Sequence, residues 1–326
     1  MMIKVGPITL ESPVGLAPMS GITDLPFRRR VKWFGAGWLV SEMVASRELI
    51  RRTRQSLRKA RIAAEELPVA VQLAGTEPEV MAEAARINED RGASFIDINF
   101  GCPAKKVVGR QAGSALMREE SLALRIMEHV VKAVSIPVTV KMRTGWDDNH
   151  RNAPRLARMA EACGVRMITV HGRTRCQLYD GASDWAFIGE VKDAVSVPVI
   201  ANGDIRGADD AARCLEVSGA DGVMIGRACQ GRPWLLAQVA EFLRTGRRLA
   251  DPPAAVQRRA LEEHYQDTLR HYGLETGVRA ARKHVGWYAH GRPGAATFRA
   301  AVNNTMDPRR VRELIDAFYG PMEVAA

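Results

Sequence analysis

A cysteine stands between a glycine and a proline in the stretch Asp97-Ile98-Asn99-Phe100-Gly101-Cys102-Pro103-Ala104-Lys105-Lys106. An apolar run, Ser94-Phe95-Ile96-Asp97-Ile98, precedes it and reads as a buried strand that ends abruptly in polar residues. Gly101 permits a sharp turn, while Pro103 fixes φ and removes a backbone donor. The Cys102 thiol is therefore held at a defined place on a loop, where it can do chemistry or serve as a small loop hydrophobe. Polar residues recur at the same end of other apolar runs: Gln72, Lys141, Arg143, His171 and Asn202. A lone lysine or glutamine inside an apolar strand is costly, because its polar group loses water. A set of them at one end of successive strands points to a shared site. Two glycine turns, Asn202-Gly203-Asp204 and Ile225-Gly226-Arg227, suit a phosphate held by backbone N–H groups.

The elements that carry these residues alternate. Strand-like runs fall at 13–18, 37–41, 68–74, 94–99, 136–142, 165–171, 197–202 and 220–226, β-branched and apolar on both faces as parallel strands are. Helical periodicity fills the gaps at 24–35, 47–60, 77–92, 119–134, 152–164, 184–195, 207–219 and 232–246. Asp24 and Asp184 are expected N-caps, and Gly92, Gly164 and Gly219 expected stops. Eight strand–helix units predict an α/β fold, a (β/α)₈ TIM barrel with its site at the C-terminal ends of the strands. The first dozen residues read as a short hairpin that plugs the barrel floor. Leu249-Ala250-Asp251-Pro252-Pro253 marks a boundary. The expected division is a catalytic barrel over 1–246 and an all-helical domain over 247–326, with helices at 257–272, 277–290, 295–303 and 308–318. Most aromatics of that second domain, among them Trp287, Tyr288 and Phe298, are expected in its core, although the basic residues between them would also suit RNA.

The 326 residues are 46% hydrophobic and carry a formal net charge of +10. That excess favours a polyanionic partner. Seven basic residues and one acid lie between Arg47 and Arg61, and the spacing predicts one helix with Arg51, Arg54 and Arg58 on one phosphate-facing stripe. Five cysteines at 102, 163, 176, 214 and 229 include no CxxC pair, so neither a disulfide framework nor a metal site is expected. There is no apolar run long enough for a membrane span and no signal-like N-terminus, so the expectation is a cytoplasmic protein. The simplest assembly is a monomer with no obligate protein partner.

Phosphate turns on the last two strands, Lys141 and Gln72 toward the middle and Cys102 opposite would suit flavin mononucleotide (FMN). At these residues the chain resembles the bacterial tRNA-dihydrouridine synthases, in their B-type branch. The matching segments are APMSGITDLPFR (17–28), VQLAGTEPEVMAEAARI (71–87), DINFGCPAKKVVGRQAGSALM (97–117), VTVKMRTGW (138–146), ITVHGRTR (168–175), PVIANGDI (198–205) and ADGVMIGRACQGRPW (220–234). The resemblance implies FMN across the barrel mouth, lined by Pro18, Met19 and Ser20, with Gln72 and Lys141 at its ring. It places His171, Asn202, Gly203, Asp204, Gly226 and Arg227 around the ribityl chain and phosphate, with Arg173 as a further anion contact. It makes Cys102 the catalytic cysteine, puts Asn99 at a flipped uracil, names tRNA as substrate and NADPH (or NADH) as reductant, and suggests position 17 of the D-loop.

The implied reaction can be argued on its own terms. Saturating the uracil C5=C6 bond needs a hydride at C6 and a proton at C5. An ordinary thiol, with a pKa of about 8.5, is mostly protonated at neutral pH and can act as the acid. Lysines aimed at a thiol favour thiolate, so Lys105 and Lys106 are expected to face outward, toward RNA phosphates. A small-molecule FMN oxidoreductase of the dihydroorotate dehydrogenase-like class is the alternative, and a non-catalytic RNA-binding protein a third reading.

Overall fold

The computed structural model describes residues 2–109 and 111–320; the side chain of Lys106 lies outside the described part. The eight expected strands form. They span Val14–Leu16, Trp38–Val40, Val69–Ala74, Phe95–Phe100, Val138–Arg143, Met167–His171, Val199–Asn202 and Gly222–Ile225. All neighbouring pairs are parallel, and Val223 opposite Val14 closes the ring. A two-residue strand, Val44–Ala45, extends the pairing to the end of the third strand. The protein is thus the expected (β/α)₈ barrel followed by a helical region.

Alternation along each strand decides what the barrel contains. Ile96 and Ile98 point outward to the helices and belong to the large core beneath them. Phe95, Asp97 and Asn99 share the opposite, inner face. At the floor the inner positions are apolar: Trp38, Ala70, Phe95, Met167, Ile200 and Met224 pack with Ile3, Val5 and Leu10 of the N-terminal hairpin (Ile3–Val5 and Ile8–Leu10). The hairpin therefore plugs the floor. Gly15 must be glycine here, because a Cβ would lie 2.2 Å from the Trp38 ring that fills the barrel. Higher up the same inner columns turn polar, and that change of composition makes the site.

Around the barrel run α1 (Leu25–Trp33), α2 (Ser46–Ile50), α3 (Arg54–Lys59), α4 (Pro78–Asp90), α5 (Lys105–Val108), α6 (Glu120–Ala133), α7 (Ala153–Ala162), α8 (Trp185–Asp193), α9 (Ala208–Ser218) and α10 (Leu235–Thr245). Asp24 and Asp184 cap α1 and α8 as expected, each accepting from an N–H three residues on at 3.0 Å. One expectation fails. The stretch 47–60 is two short helices, not one. Arg52 turns left-handed at φ 52°, and Thr53 starts α3 by accepting from the Ser56 N–H at 3.2 Å. The arginine stripe is therefore broken: Arg51 lies on the turn, while Arg54 and Arg58 lie on α3.

The chain leaves α10 and continues into α11 (Ala254–Tyr272), α12 (Leu274–Tyr288), α13 (Ala295–Asn303) and α14 (Pro308–Tyr319). Tyr265, Tyr288 and Phe298 are buried in this bundle, whose core is completed by Trp234 and Phe34 from the barrel side. Trp287 is half-buried against His284. The bundle docks on α1: Arg30 pairs with Glu263, and the Tyr272 hydroxyl donates to Asp24 at 2.9 Å. Between them His264 and His284 lie 1% and 3% exposed, their rings 4.6 Å apart and close to Phe27. No helix of the described residues is long and apolar enough to cross a membrane.

Candidate active site at the barrel mouth

Polar side chains from five strands meet at the C-terminal mouth, around a cleft of about 990 Å³. Pro18, Met19 and Ser20 line one wall, Gln72, Asn99, Lys141 and Asn202 the floor, and Cys102 with Lys105 another side. His171, Gly203, Asp204, Gly226 and Arg227 complete the ring. Of the thirteen residues expected at the cysteine and the cofactor, twelve line this one cleft. The exception is Arg173.

The Arg173 guanidinium is 2% exposed and is committed elsewhere. It donates to both Asp204 oxygens, at 3.0 and 2.6 Å, and to the carbonyls of Asp180 and Gly181. It is not a free anion contact; it holds Asp204. Partial burial opposes ionisation of Asp204, but the hydrogen bonds from Arg173 and the Ser183 N–H outweigh it and keep its pKa below the usual value. With Asp204 matched by Arg173, the basic groups Arg206 and Arg227 leave this side of the cleft net positive. Gly203 sits at φ 118°, and a Cβ there would meet Ser183 Oγ at 2.3 Å, so the turn requires glycine.

The floor is a connected network. Thr139 Oγ1 donates to Asp97 at 2.6 Å, and Gln72 Nε2 donates to the other Asp97 oxygen at 2.7 Å. Asn99 Nδ2 donates to Gln72 Oε1 at 2.7 Å. Across the barrel Lys141 Nζ donates to Asn202 Oδ1 at 2.8 Å, and Asn202 Nδ2 to the Met224 carbonyl at 2.7 Å. Burial, and then the neighbouring Arg143, pull the Lys141 pKa down to about 8, with Asp97 acting against them. Lys141 is still charged at neutral pH. His171 is neutral: burial, followed by Lys141, Arg143, Arg173 and Arg227, holds its pKa well below the usual range. Its Nδ1 is buried and has no hydrogen-bond partner among the described residues.

Cys102 is partly exposed to the cleft on a loop pinned at three points. The Gly101 and Cys102 N–H groups donate to Asn99 Oδ1 at 3.1 and 2.9 Å. Arg143 Nε donates to the Gly101 carbonyl at 2.9 Å. The Ser114 N–H and hydroxyl both donate to the Cys102 carbonyl, at 3.1 and 2.9 Å. Gly113 makes that approach possible, since a Cβ there would lie 2.7 Å from the same carbonyl. Arg143 also reaches the Leu178 carbonyl at 2.8 Å and so fixes the loop carrying Tyr179. The exposed Tyr179 ring overhangs the cleft between the guanidinium groups of Arg143 and Arg227.

Lys105 is exposed on α5 and lines the cleft beside Cys102; the expectation for Lys106 falls on a side chain outside the described residues. Arg51 and Arg54 are exposed, whereas the Arg58 guanidinium lies 4.4 Å over the Tyr272 ring. Lys283 donates to the Gly21 carbonyl, and the Gly21 N–H donates to Glu42 at 2.6 Å. Basic groups from α3 and α12 thus flank the loop that carries Met19 and Ser20. Sequence reasoning passed over Asp97, Thr139 and Tyr179. The first two were legible from alternation, because Asp97 shares the inner face with Asn99. Tyr179 lies on a loop with no periodicity to mark it.

A family description, dihydrouridine synthase, matches residues 15–320. The chain is 57% identical to a probable tRNA-dihydrouridine synthase of Rickettsia conorii, over 98% of this chain and 96% of that one. It is 52% identical to tRNA-dihydrouridine synthase B of Xanthomonas axonopodis pv. citri, over 94% and 92%. For the enzyme of that same name from Pseudomonas aeruginosa the identity is 47%, again over 94% and 92%. Solved structures of similar fold include 2-naphthoyl-CoA reductase in complex with 2-naphthoyl-CoA, with TM-score 0.60 and 13% identity over 74% of this chain. Histamine dehydrogenase from Rhizobium sp. 4-9 gives TM-score 0.58 and 12% identity over 87%. This chain spans about half the length of each, 51% and 50%, and the likeness is one of fold.

Proposed function

The chain belongs to the dihydrouridine synthase family, and from that premise we propose that it reduces the C5=C6 bond of a D-loop uridine in tRNA to 5,6-dihydrouridine. The observation that carries this reading is the cleft itself, which gathers Cys102, Lys141, Gln72 and Asn99 beneath a basic rim.

The residues fit FMN as cofactor. The cleft stands at the upper end of the roughly 300–1,000 Å³ typical of small-molecule sites, room for a flavin and an extruded base. The positive side at Arg206 and Arg227 suits a phosphate, the unpartnered His171 Nδ1 a ribityl hydroxyl, and the Lys141 ammonium the electron-rich edge of a reduced ring. Bound there and reduced by NADPH or NADH, the flavin supplies the hydride that C6 of the uracil requires. The protein does the rest. Lys141 places positive charge where negative charge accumulates. Asn99 and Gln72 give the floor its amide groups, for base and ring respectively. Cys102 Sγ–H gives its proton to C5, so the base gains one hydride and one proton and the thiolate is reprotonated from solvent.

A uridine inside a folded tRNA must leave its stack to enter such a cleft. Recognition then falls to backbone and shape, through Lys105 at the lip, Lys106, and Arg51, Arg54 and Arg58 beyond the second strand. A monomeric cytoplasmic enzyme suffices for this. The test is a purified protein loaded with FMN, given NADPH and tRNA from a strain lacking the gene. We expect a uridine in the D-loop, position 17 by subgroup resemblance, to gain the mass of two hydrogens. Reoxidation of the reduced protein by orotate or free uracil but not by tRNA would instead favour a small-molecule oxidoreductase.

A further inference from the structure

Asp97 touches neither the cleft nor the thiol, yet the hydrogen bonds on the floor lead from it to Cys102. It is 2% exposed on the inner face of the fourth strand. An ionised carboxylate only accepts hydrogen bonds. Its two neighbours, Thr139 Oγ1 and Gln72 Nε2, must therefore both donate. With the Gln72 NH₂ turned to Asp97, its oxygen faces Asn99, and Asn99 can meet it only with its own NH₂. The Asn99 oxygen is then left for the Gly101 and Cys102 N–H groups. Either amide, turned over, would oppose like to like: the Gln72 oxygen against a carboxylate, or the Asn99 NH₂ against two N–H donors. Amide orientation is usually ambiguous. Here one acceptor-only group resolves two amides and a loop.

We propose that Asp97 is a positioning residue that sets the donor–acceptor sense of Gln72 and Asn99 and thereby holds the Cys102 loop in its working geometry. The catalytic part of this rests on the reading of Cys102 as the proton donor; the structural part does not. Burial raises the Asp97 pKa above its usual value, and the hydrogen bonds from Thr139 and Gln72, with the charge of Lys141, act against that rise. The hydrogen bonds from Thr139 Oγ1 and Gln72 Nε2 both run into Asp97, and that sense is what the relay depends on. Asp97→Asn keeps the shape but can present NH₂ to Gln72, so the sense of the chain is no longer dictated. Asp97→Ala removes the acceptor altogether.

The test uses the full chain labelled with ¹⁵N-cysteine, whose five cysteines give five amide signals, with Cys102 assigned from Cys102→Ala. We expect Asp97→Asn to shift or split the Cys102 amide signal and leave the other four in place. In the FMN-loaded protein reoxidation by tRNA should slow about tenfold or more, and by more than reduction by NADPH does, as small misplacements of a reacting group on the Cys102 loop would. Thr139→Val, a milder change on the other Asp97 oxygen, should move the same signal by less. An unmoved Cys102 signal in both Asp97→Asn and Thr139→Val overturns the proposal. So does a general collapse of the spectrum or loss of flavin in Thr139→Val, which would make the network a fold requirement. If Cys102→Ala reoxidises with tRNA normally, the acid reading falls instead, and the amide signal still decides whether Asp97 sets the loop.

Discussion

At the barrel mouth, Gln72, Asp97, Asn99 and Thr139 are buried, and their side chains bond one another in a directed chain that ends on the Cys102 loop. At the joint between α1 and the C-terminal helices, His264 and His284 are equally buried, yet all four of their ring nitrogens lack a partner among the described residues. Asp24 lies beside them, with its ligand atom and theirs within 4.8 Å of one another, but both its oxygens already accept hydrogen bonds, from the Phe27 N–H and the Tyr272 hydroxyl. Burial pulls the His264 pKa down to about 3, with Arg30 and Lys283 adding to it, and pushes the Asp24 carboxyl up to about 6. The mouth keeps its polar groups oriented and partly charged. The joint keeps its imidazoles neutral, packed as flat rings against Phe27 and Tyr288. The difference separates polar groups bonded to one another at a cleft from polar groups packed into a docking face.

Each contrast can be broken by experiment. The largest effect belongs to the thiol: Cys102→Ala should keep FMN and NADPH oxidation and lose dihydrouridine formation by about a hundredfold or more. Single-turnover reoxidation by tRNA measures it, and a native rate would remove the mouth's claim to acid chemistry. Next comes Lys141, charged below about pH 8 and neutral above it. Flavin reduction should therefore fall as pH rises past 8, by up to about tenfold per unit. Lys141→Met should be slow and flat across the same range; a native pH profile in that variant would assign the decline elsewhere.

The rim comes third. Binding of tRNA should weaken steeply with salt, each lost phosphate contact removing about 0.7–0.9 from the slope of log affinity against log salt. Arg51→Ala and Arg54→Ala test exposed residues, and Arg58→Ala one already stacked on Tyr272. Equal slopes in all three and in the native protein would exclude this face. The smallest effect lies at the joint and concerns stability. The histidine pKa values are depressed on folding, so their contribution is full above about pH 6.5 and is lost as pH falls, when the unfolded chain takes up protons first. Asp24, raised on folding, works in the opposite sense between about pH 6 and 4. Two histidines against one carboxyl leave stability falling as pH drops through that window. Urea unfolding at pH 7 and 5 measures it. His264→Leu should flatten the dependence without touching the flavin half-reaction.

The barrel was legible because its signals are local. Apolar runs, caps and glycine stops repeat eight times, and alternation within a run assigns the two faces of each strand. The same alternation brought Gln72, Asn99, Lys141, His171 and Asn202 to one mouth. The stretch from Arg47 to Arg61 misled, since a 3–4 spacing of arginines reads as one helix while Thr53, the residue that starts a second helix, is a single polar side chain within it.

The amino-acid sequence by itself determined the strand–helix repeat, the polar upper layer of the barrel and the cysteine held on its turn, because each depends on residues near one another in the chain. Only the tertiary structure decided the rest. Arg173 is spent on Asp204, 31 residues away, rather than on a ligand. Gln72 donates to a carboxylate on the neighbouring strand and accepts from Asn99 of that same strand, and two histidines of the C-terminal helices become neutral against α1. Charge state and hydrogen-bond sense depend on which groups meet when water is removed, and those meetings are made across the fold.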